Sequence, residues 1–517
     1  MPQKAPLGSD RIRTWDELPD HVDVLIVGGG LAGLELAKHL ELSGAEDVLV
    51  AEAGAHGDLD HVYAANDAAS ADTIWTDETA DEYFVQLWNS VTEPHFSRGS
   101  GIRRRLGGRS LYWHGVLLPV EEWALADPAW PESVVKELTD SWQHGPSLYA
   151  RVRADLTAWS ERARWRTPVG ESVEVGRFRL VEPPRAVRQA DAEGARWEAY
   201  SPLSHWLETV GGESAAAASA GSVRIATDVE IMAVLVSGGT AQGVAVRHRV
   251  SGEQKRITAR KVVLAAGTVE STRLAVQALH QAGRLPQSRL TGLVDHIVQG
   301  FNVTLPADSV PQWLRRRAHR SVFAFAPGSG PSRSNLFIQL DPTTEGDLRL
   351  EAWVTGEQIR SAQGVVSCTA GDTWPWPVTI STGLDTRDIL TVEAQRDELQ
   401  QFWSDWCAEF GLKPGPLEFD SDFLDPSRTL RSVRDALRNG GWDAAEGRPV
   451  TWSSPLGTEE HEGGTLAIGD VLDERQEFIG LTGLFAVGPA TIPRQGAANP
   501  SMTTLALSRR LAALLME

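Results

Sequence analysis

The chain contains, near its N-terminus, the stretch Asp23-Val-Leu-Ile-Val27-Gly28-Gly-Gly30-Leu-Ala-Gly33-Leu34-Glu-Leu-Ala-Lys-His-Leu40. The residues before Gly28 predict a buried β-strand, and the apolar spacing after Gly33 predicts an α-helix. The glycines between them fit the dinucleotide-binding fingerprint. In that fingerprint Gly28 makes the tight turn, Gly30 admits a pyrophosphate, and Gly33 lets the helix pack closely on the strand.

A second strand and an acidic residue extend this pattern. Val48–Ala51 predicts a strand that ends at Glu52, which follows Gly33 by 52 − 33 = 19 residues. An acid at this distance commonly binds ribose hydroxyls. The alternative is a glycine-rich turn in an ordinary α/β domain, but the two strands and the acid together favour a nucleotide site.

Composition limits the class of protein. A chain of 517 residues is long enough for two domains, and its apolar and charged contents are those of an ordinary globular protein. The net charge of −20 argues against a nucleic-acid partner or an anionic membrane. The only cysteines, Cys368 and Cys407, form neither a disulfide framework nor a metal-ligand pattern, so no metal site is predicted. The polar first 22 residues and the lack of a long apolar stretch predict a cytoplasmic protein.

Further segments extend the nucleotide-binding part. The glycine-rich Leu106-Gly-Gly108-Arg-Ser110 suits a backbone lying against a flat or phosphate-bearing cofactor, although a plain loop is the alternative. Residues 261–267 predict another buried strand, followed by a helix over 271–282. Between the glycine-rich segment and residue 261, short strands are predicted over residues 223–225, 231–236 and 241–246.

The region between 300 and 395 has a different character. Apolar residues alternate with period two, as at Leu336/Ile338/Leu340 and Leu348/Leu350/Ala352, which predicts an antiparallel sheet with one face covered. An amphipathic helix follows, with Leu399, Phe402, Trp403, Trp406 and Phe410 on one stripe and Gly411 as its stop. This layer is the expected place for a substrate.

The last sixty residues contain a histidine in a glycine turn, His461-Glu-Gly-Gly-Thr465, and a strand over Leu484–Val487. A helix is predicted over Met502–Leu515, with Asn499 as its N-cap and Pro500 at its first position. This local pattern explains Asn499 without any catalytic role.

Taken in order, these motifs resemble the glucose-methanol-choline oxidoreductases over nearly the whole chain. The most similar branch is that of pyranose oxidases and bacterial C-glycoside oxidases, which share the Ser110-Leu-Tyr-Trp113 element. The matching segments are Gly28–Gly33 with Glu52, Leu106–Ser110, Leu264–Gly267, His461–Thr465 and Ala498–Thr503.

The resemblance implies FAD as the cofactor and His461 and Asn499, 499 − 461 = 38 residues apart, as the catalytic pair. It raises Asn499 from a helix cap to a catalytic residue, and the two roles are compatible. The residues assigned to cofactor binding are Gly28, Gly30, Gly33, Glu52, Gly107, Gly108, Ser110, Val229, Gly267 and Pro500.

The resemblance also implies an α/β fold with a Rossmann-like FAD-binding domain and a substrate domain built on an antiparallel β-sheet with helices. The FAD-binding domain would comprise 20–130, 215–300 and 458–517, and the substrate domain 131–214 and 301–457. Trp353, Trp374 and Trp376 are candidates for lining the substrate pocket, with core packing as the alternative for each.

The implied activity is FAD-dependent oxidation of a CH–OH group of a sugar, glycoside or related polyol, with hydride transfer to flavin N5. Its partners would be that small molecule and oxygen or another acceptor, such as a quinone or a protein. The alternatives are a hydroxynitrile-lyase-like enzyme with a structural FAD and a binding protein that lost turnover. Tyr112 stands where pyranose oxidases carry a flavin-linked histidine, so FAD is expected to be non-covalent. A strand-like alternation over Leu111–Trp113 would turn His114 to a different face from residue 113.

Overall fold

The structure of the chain is a computed structural model. It describes residues 7, 11–76, 80–97, 100–161, 172–191, 196–207, 222–310, 324–328, 332–343, 346–413, 415–419, 432–433 and 448–517. The expected domain boundary between residues 214 and 215 lies outside these residues.

The described residues form short and long strands in several sheets. In chain order the strands are β1 (Ile12–Arg13), β2 (His21–Val27), β3 (Val48–Ala51), β4 (Phe84–Val85), β5 (Trp88–Ser90), β6 (Ile102–Arg103), β7 (Ser141–Trp142), β8 (Gly145–Pro146), β9 (Val173–Val175), β10 (Phe178–Leu180), β11 (Val187–Gln189), β12 (Trp197–Ala199), β13 (Val223–Ala226), β14 (Val229–Ser237), β15 (Thr240–His248), β16 (Gln254–Leu264), β17 (Arg289–Thr291), β18 (Ile297–Leu305), β19 (Ala324–Ala326), β20 (Ser334–Pro342), β21 (Leu348–Gly356), β22 (Val365–Cys368), β23 (Val378–Ser381), β24 (Val450–Ser453) and β25 (Leu484–Ala486).

The α-helices of the same residues are α1 (Leu31–Leu42), α2 (Val62–Ala65), α3 (Ala68–Thr76), α4 (Glu122–Leu125), α5 (Glu132–Thr139), α6 (Leu148–Glu161), α7 (Ser204–Leu207), α8 (Thr268–Gln281), α9 (Thr386–Phe410) and α10 (Ser501–Met516). Short 3₁₀ turns cover Trp15–Glu17, Gly108–Leu111, Ala307–Ser309 and Pro489–Thr491.

An eight-stranded sheet forms the centre of the molecule, in the order β1-β13-β3-β2-β16-β15-β14, with β25 also paired to β16. Five neighbouring strands of this sheet run parallel, namely β1, β13, β3, β2 and β16, and β25 also pairs parallel with β16. The last two strands, β15 and β14, pair antiparallel. Apolar residues fill β2, β3 and the end of β16 because both faces of this part are covered. The predicted strands of the nucleotide-binding part are confirmed.

A five-stranded antiparallel sheet, β19-β20-β21-β18-β24, makes the second layer. Leu350, Ala352 and Val354 of β21 pack on Phe402 and Trp403 of α9 in one buried cluster. The intervening residues face the other way, where Phe337 and Trp353 stack with ring centroids 5.5 Å apart. Gly411 ends α9 in the left-handed conformation, with φ 70°, as predicted. The predicted α/β fold class with its antiparallel layer is confirmed.

The division into two discontinuous domains stays a proposal, and two observations bear on its limits. The expected boundary at 300/301 falls inside β18, whose nine residues all pair with β21. The helix α6, expected in the substrate domain, packs its Leu148, Val152 and Leu156 in the same core as β2 and α10. No helix of the described residues has both the length and the apolar composition needed to cross a bilayer.

Candidate active site

A cavity lies at the carboxyl ends of the parallel strands. The ends of β2, β3, β16 and β25 supply Gly28, Glu52, Gly267 and Gly488 to its lining. The volume open to the centre of a water molecule is about 230 Å³. Ligands of open α/β sheets bind at this edge, because the loops after adjacent parallel strands separate there. We call it the sheet-end cavity.

The glycines at this edge fall into two groups, according to what a Cβ atom would meet. At Gly28, with φ 106°, a Cβ would lie 2.6 Å from the Ala265 carbonyl oxygen, and at Gly33 it would lie 2.0 Å from the Gly28 oxygen. At Gly30 and Gly267 nothing lies within 4 Å. The first pair is therefore needed for close backbone packing, and the second pair leaves open space beside the cavity.

Three helices begin at the sheet-end cavity. Gly30 caps α1, Gly267 caps α8 and Pro500 caps α10, and all three residues line it. The first N–H groups of a helix have no intrahelical partner and carry the positive end of the helix dipole. Their convergence favours an anionic group, and a pyrophosphate is the anion that the sequence motif predicts.

Glu52 lies at the end of β3 and is 8% exposed. One of its carboxylate oxygens accepts from the Gly29 N–H and the other from the Gly54 N–H, both at 2.7 Å. The pKa of Glu52 is raised above its ordinary value, because the effect of burial exceeds that of the two backbone donors and Arg104, which lower it. The backbone bonds fix the carboxylate beside the cavity, where its remaining lone pairs suit hydroxyl donors.

The other residues expected at the cofactor divide between lining and support. Gly108, Ser110, Val229 and Pro500 line the sheet-end cavity, but Gly33 and Gly107 do not. A Cβ at Gly107 would meet Leu111 at 2.7 Å, so this glycine, with φ 93°, serves the turn.

A second cavity, of about 160 Å³ by the same measure, lies beneath the antiparallel sheet. We call it the sheet-face cavity. Its lining includes His461 and Asn499, and His461 lines the sheet-end cavity as well. The other residues that line both cavities are Trp113, Glu459 and Ser501. His461 therefore stands at the junction of the two cavities.

The two residues expected to be catalytic are in contact. Asn499 Nδ2 lies 3.1 Å from His461 Nε2. The other ring nitrogen of His461, Nδ1, lies 2.8 Å from Nδ1 of His296, a residue that the sequence did not single out. Burial, His296 and the charge of Arg109 hold the pKa of His461 well below its ordinary value of 6.5. The His461 ring is therefore neutral at physiological pH and able to accept a proton.

Asn499 is not the N-cap of α10, so that prediction is wrong. Pro500 occupies the cap position and no side chain makes a cap hydrogen bond. The amide of Asn499 is turned toward His461 instead of back to the helix N–H groups, and its Oδ1 is buried with no hydrogen-bond partner among the described residues. A buried amide oxygen without a partner is unfavourable, so it marks a position where a ligand group would bind.

Arg109, the variable residue of the Leu106–Ser110 segment, anchors the histidine loop. It donates to both carboxylate oxygens of Glu462, at 2.6 and 2.9 Å, and to the backbone carbonyl of Glu460 at 3.1 Å. The backbone of Glu460 is left-handed, with φ 57°, which is a strained conformation for this residue. The carboxylates of Glu460 and Glu462, on either side of His461, both pair with Arg109 and thus hold the loop in place.

Gly463 and Gly464 of the histidine loop do not line the sheet-end cavity. A Cβ at Gly463 would meet the side chain of Gln495, and one at Gly464 would lie 2.5 Å from the Gly292 carbonyl oxygen. The glycines permit close packing behind the loop, away from the sheet-end cavity.

The segment after Ser110 also differs from expectation. Residues 108–111 form a 3₁₀ turn, so the strand-like alternation is wrong. Tyr112 is 1% exposed and its hydroxyl contacts Asp81 and Arg105, each at 3.3 Å. His114 lines the sheet-face cavity, where its Nε2 lies 3.1 Å from the Tyr63 hydroxyl. Neither residue lines the sheet-end cavity.

The three tryptophans proposed for the pocket separate. Trp353 lines the sheet-face cavity together with Trp113, Phe337 and Trp452. Trp374 and Trp376 belong to a different apolar cluster, where the Trp376 indole donates to the Gly371 carbonyl. Core packing is therefore the correct description for the latter two.

Three site residues escaped the sequence analysis: His296, Arg109 and Glu462. Arg109 and Glu462 lie inside the Leu106–Ser110 and His461–Thr465 motifs, at positions that the motifs leave open. Their place in these motifs is the signal that could have found them. His296 follows Asp295, directly precedes β18 and belongs to none of the motifs described above. Among the described residues no group of three or more His, Cys, Asp or Glu side chains is arranged to hold a metal ion.

No protein-family model matches the chain, and no curated protein matches it in sequence. Solved structures do match. Pyridoxine 4-oxidase from Mesorbium loti superposes with a TM-score of 0.57 at 17% identity, over 95% of this chain and 98% of that one. Formate oxidase from Aspergillus oryzae RIB40 superposes with a TM-score of 0.59 at 16% identity, over 96% and 98%. Both are glucose-methanol-choline oxidoreductases, so the chain has the fold of that family.

Proposed function

We propose that this chain is an FAD-dependent oxidoreductase of the glucose-methanol-choline type that oxidises the CH–OH group of a sugar, glycoside or related polyol. The observation that carries the proposal is His461, which lies at the junction of the two cavities with Asn499 bound to its Nε2. The family fold makes a flavin chemically reasonable in the sheet-end cavity. The likeness to two oxidases at 16–17% identity supports the fold, and the chemistry is argued from the residues.

The residues of the sheet-end cavity fit FAD on several independent grounds. The space beside Gly30 and Gly267 is open, because these residues have no side chain to fill it, and a cofactor can occupy it. The N-termini of α1, α8 and α10 suit a pyrophosphate, and Glu52 suits the ribose hydroxyls. FAD bound there would supply the acceptor for the hydride of the alcohol. Gly108, Ser110, Val229 and Pro500 would hold it from the remaining sides.

His461 is the proposed general base. Its ring is buried and neutral, and in the absence of substrate the lone pair of Nε2 accepts from the Asn499 amide. A substrate hydroxyl that binds at Nε2 can give up its proton to this nitrogen as the C–H bond breaks. The paired carboxylates held by Arg109 fix the loop, so little reorganisation is needed when the substrate arrives.

Asn499 is the proposed partner for the developing alkoxide. An amide N–H that already points at Nε2 lies within reach of an oxygen bound at the same nitrogen. Donors fixed before the reaction stabilise negative charge without reorganising, which is the principle of an oxyanion hole. The asparagine therefore favours the alkoxide over the neutral alcohol.

We propose that FAD is bound non-covalently. Among the described residues that line the sheet-end cavity, His461 is the one histidine, and there is neither a cysteine nor a tyrosine. Tyr112 and His114, the residues nearest to the attachment position of pyranose oxidases, do not line this cavity. Among the described lining residues, His461 is thus the one histidine, cysteine or tyrosine that could carry a flavin, and it is the proposed base.

The substrate class follows from the sheet-face cavity. Trp113, Phe337, Trp353 and Trp452 give it aromatic walls, against which the C–H faces of a sugar ring can pack. Gln339 and Thr355 add polar groups that can bind several hydroxyls. We therefore favour a polyhydroxylated ring over a simple aliphatic alcohol.

Product analysis tests the function. The purified protein, supplied with a donor and with oxygen or a quinone, should form one carbonyl product for each acceptor molecule reduced by two electrons. Carbonyl formation without any consumption of acceptor would indicate a lyase, and a protein that binds FAD but forms no product would indicate lost turnover.

A further inference from the structure

We propose that His296 is a positioning residue that fixes His461 as the Nδ1–H tautomer, leaving Nε2 unprotonated and able to accept the proton of a substrate hydroxyl. The inference rests on the proposed function of His461 as a base, but its structural part concerns the protonation of two rings and can be measured without any turnover. His296 is 1% exposed and lines neither of the two cavities described above, so it touches neither substrate nor cofactor there.

Backbone pairing brings the two histidines together. Val294 and Gly463 form an antiparallel bridge, with N–H···O distances of 2.9 and 3.2 Å between their backbones. In that register residue 296 lies opposite residue 461, because 294 + 463 equals 296 + 461. Residues directly opposite in an antiparallel pair have side chains close enough to bond. The observed Nδ1–Nδ1 distance of 2.8 Å agrees with this.

A backbone carbonyl then decides which nitrogen carries each hydrogen. His296 Nε2 lies 3.1 Å from the carbonyl oxygen of Gly496, which can only accept. Nε2 of His296 is therefore the N–H, and because burial lowers the pKa of His296 to about 4, the ring is neutral and its Nδ1 is an acceptor. His461 must donate its own Nδ1–H to that acceptor. Its Nε2 is left without a hydrogen and accepts from Asn499.

The opposite arrangement fails at the same carbonyl. If His461 carried its hydrogen on Nε2, its bare Nδ1 would need an N–H from His296 Nδ1. A neutral His296 would then present a lone pair to the Gly496 oxygen, and the two acceptors would repel each other. The Gly496 carbonyl thus fixes the hydrogen of His461 on Nδ1 and leaves Nε2 free to act as the base. Gly496 lies three residues before Asn499 in the sequence.

Two substitutions separate positioning from packing. His296→Leu fills similar space but offers no acceptor, whereas His296→Asn keeps a polar oxygen at the position of Nδ1. We expect the leucine variant to reduce its flavin about 10–100-fold more slowly, by analogy with the cost of removing the hydrogen-bond partner that orients a metal-binding histidine. The asparagine variant should regain most of the rate. His280→Asn, at an exposed position near the end of α8, is the matched control and should behave as wild type.

Nitrogen-15 NMR of histidine-labelled protein gives a readout that packing does not move. The His461 signals, assigned by their loss in His461→Gln, should show an Nδ1–H tautomer in wild type and in His296→Asn, and a mixture in His296→Leu. Finding His461 as the Nε2–H tautomer in wild type would overturn the proposal without any variant. Equal rates for the leucine and asparagine variants would overturn it too. If wild type oxidises no alcohol, the proposed function fails, and the NMR experiment still tests the tautomer.

Discussion

Asn499 donates to Nε2 of His461 across 3.1 Å, so a substrate oxygen bound at that nitrogen lies within reach of the amide as well. We expect His461→Ala to retain FAD and fold but to reduce its flavin about 10²–10⁴-fold more slowly, because a general base is lost. Stopped-flow absorbance measures the rate. A variant that is reduced as fast as wild type would show that another group takes the proton.

Asn499→Asp examines charge at the same position. Aspartate is nearly isosteric, but its carboxylate would lie beside the developing alkoxide and would offer no donor. We expect normal folding and flavin content and a reduction rate lowered at least as much as by removal of an oxyanion-hole donor, about 10²–10³-fold. No helix-cap energy is lost, because Asn499 makes no cap hydrogen bond. Wild-type rates in Asn499→Asp would exclude the amide from catalysis.

The lowered pKa of His461 predicts the pH dependence of the reaction. Burial, His296 and Arg109 all disfavour the charged ring, so the ring stays neutral to pH values below its ordinary 6.5. The rate of flavin reduction should not fall through loss of this base until the pH is below 6.5. The same shift makes the fold less stable in acid, since the unfolded chain takes up the proton first. Flavin absorbance without substrate at each pH separates the two effects, and an acid limb centred above 6.5 would contradict the assignment.

At the scale of elements, β2 and α1 depend on two glycines for different reasons. Gly33→Ala would place a Cβ 2.0 Å from the Gly28 carbonyl oxygen, so we expect a loss of about 1–3 kcal/mol or more in the free energy of unfolding. At Gly30 the added methyl group of Gly30→Ala meets nothing within 4 Å, so we expect that free energy to fall only by the roughly 1 kcal/mol or less that an alanine costs at a helix N-cap. Its methyl group would instead enter the cofactor space and weaken FAD binding.

Thermal unfolding of the flavin-free proteins and FAD titrations of both variants check this pair. A Gly30→Ala protein that binds FAD as tightly as wild type would contradict the location of the cofactor. A Gly33→Ala protein as stable as wild type would show that helix and strand can separate at little cost.

The sequence predicts elements well where one residue pattern determines them. Period-two alternation located β20 and β21, and the stripe from Leu399 to Phe410 located α9 with its stop at Gly411. Contacts between distant segments could not be predicted. The Val294–Gly463 bridge, which sets His296 opposite His461, joins residues 169 positions apart (463 − 294) that share no motif. The cap at Asn499 was mispredicted because a local preference for asparagine at helix starts gave way to a hydrogen bond with His461.

At the scale of the whole molecule, the sheet-end cavity is closed by segments from both ends of the chain. Gly28 and Glu52 come from the first sixty residues, and His461 and Pro500 from the last sixty. A ligand that binds all of them should stabilise the native state as a unit. We expect FAD at 100 times its dissociation constant to add about 2.7 kcal/mol to the free energy of unfolding. Chemical unfolding with and without FAD measures this, and no change would mean that the cofactor site is elsewhere or absent.

The proposed non-covalent attachment predicts the fate of the flavin on denaturation. Acid precipitation of the holoprotein should release the yellow chromophore into the supernatant. Flavin fluorescence that remains on the denatured band in gel electrophoresis would show a covalent bond. In that case His461 would be the first residue to examine, because it is the one histidine among the described residues of the cavity lining.

The most direct test of the proposed function is the anaerobic mixing of the flavin-loaded protein with a panel of candidate donors, followed by flavin absorbance. The panel comprises monosaccharides, O- and C-glycosides, aminocyclitols, pyridoxine, formate and simple alcohols. We predict that at least one polyhydroxylated ring bleaches the wild-type flavin and that His461→Ala with the same donor bleaches it about 10²–10⁴-fold more slowly. If no alcohol in the panel bleaches the wild-type flavin, the proposed oxidation of an alcohol is contradicted. If the His461→Ala flavin is bleached as fast as that of wild type, the proposed role of His461 as the base is contradicted.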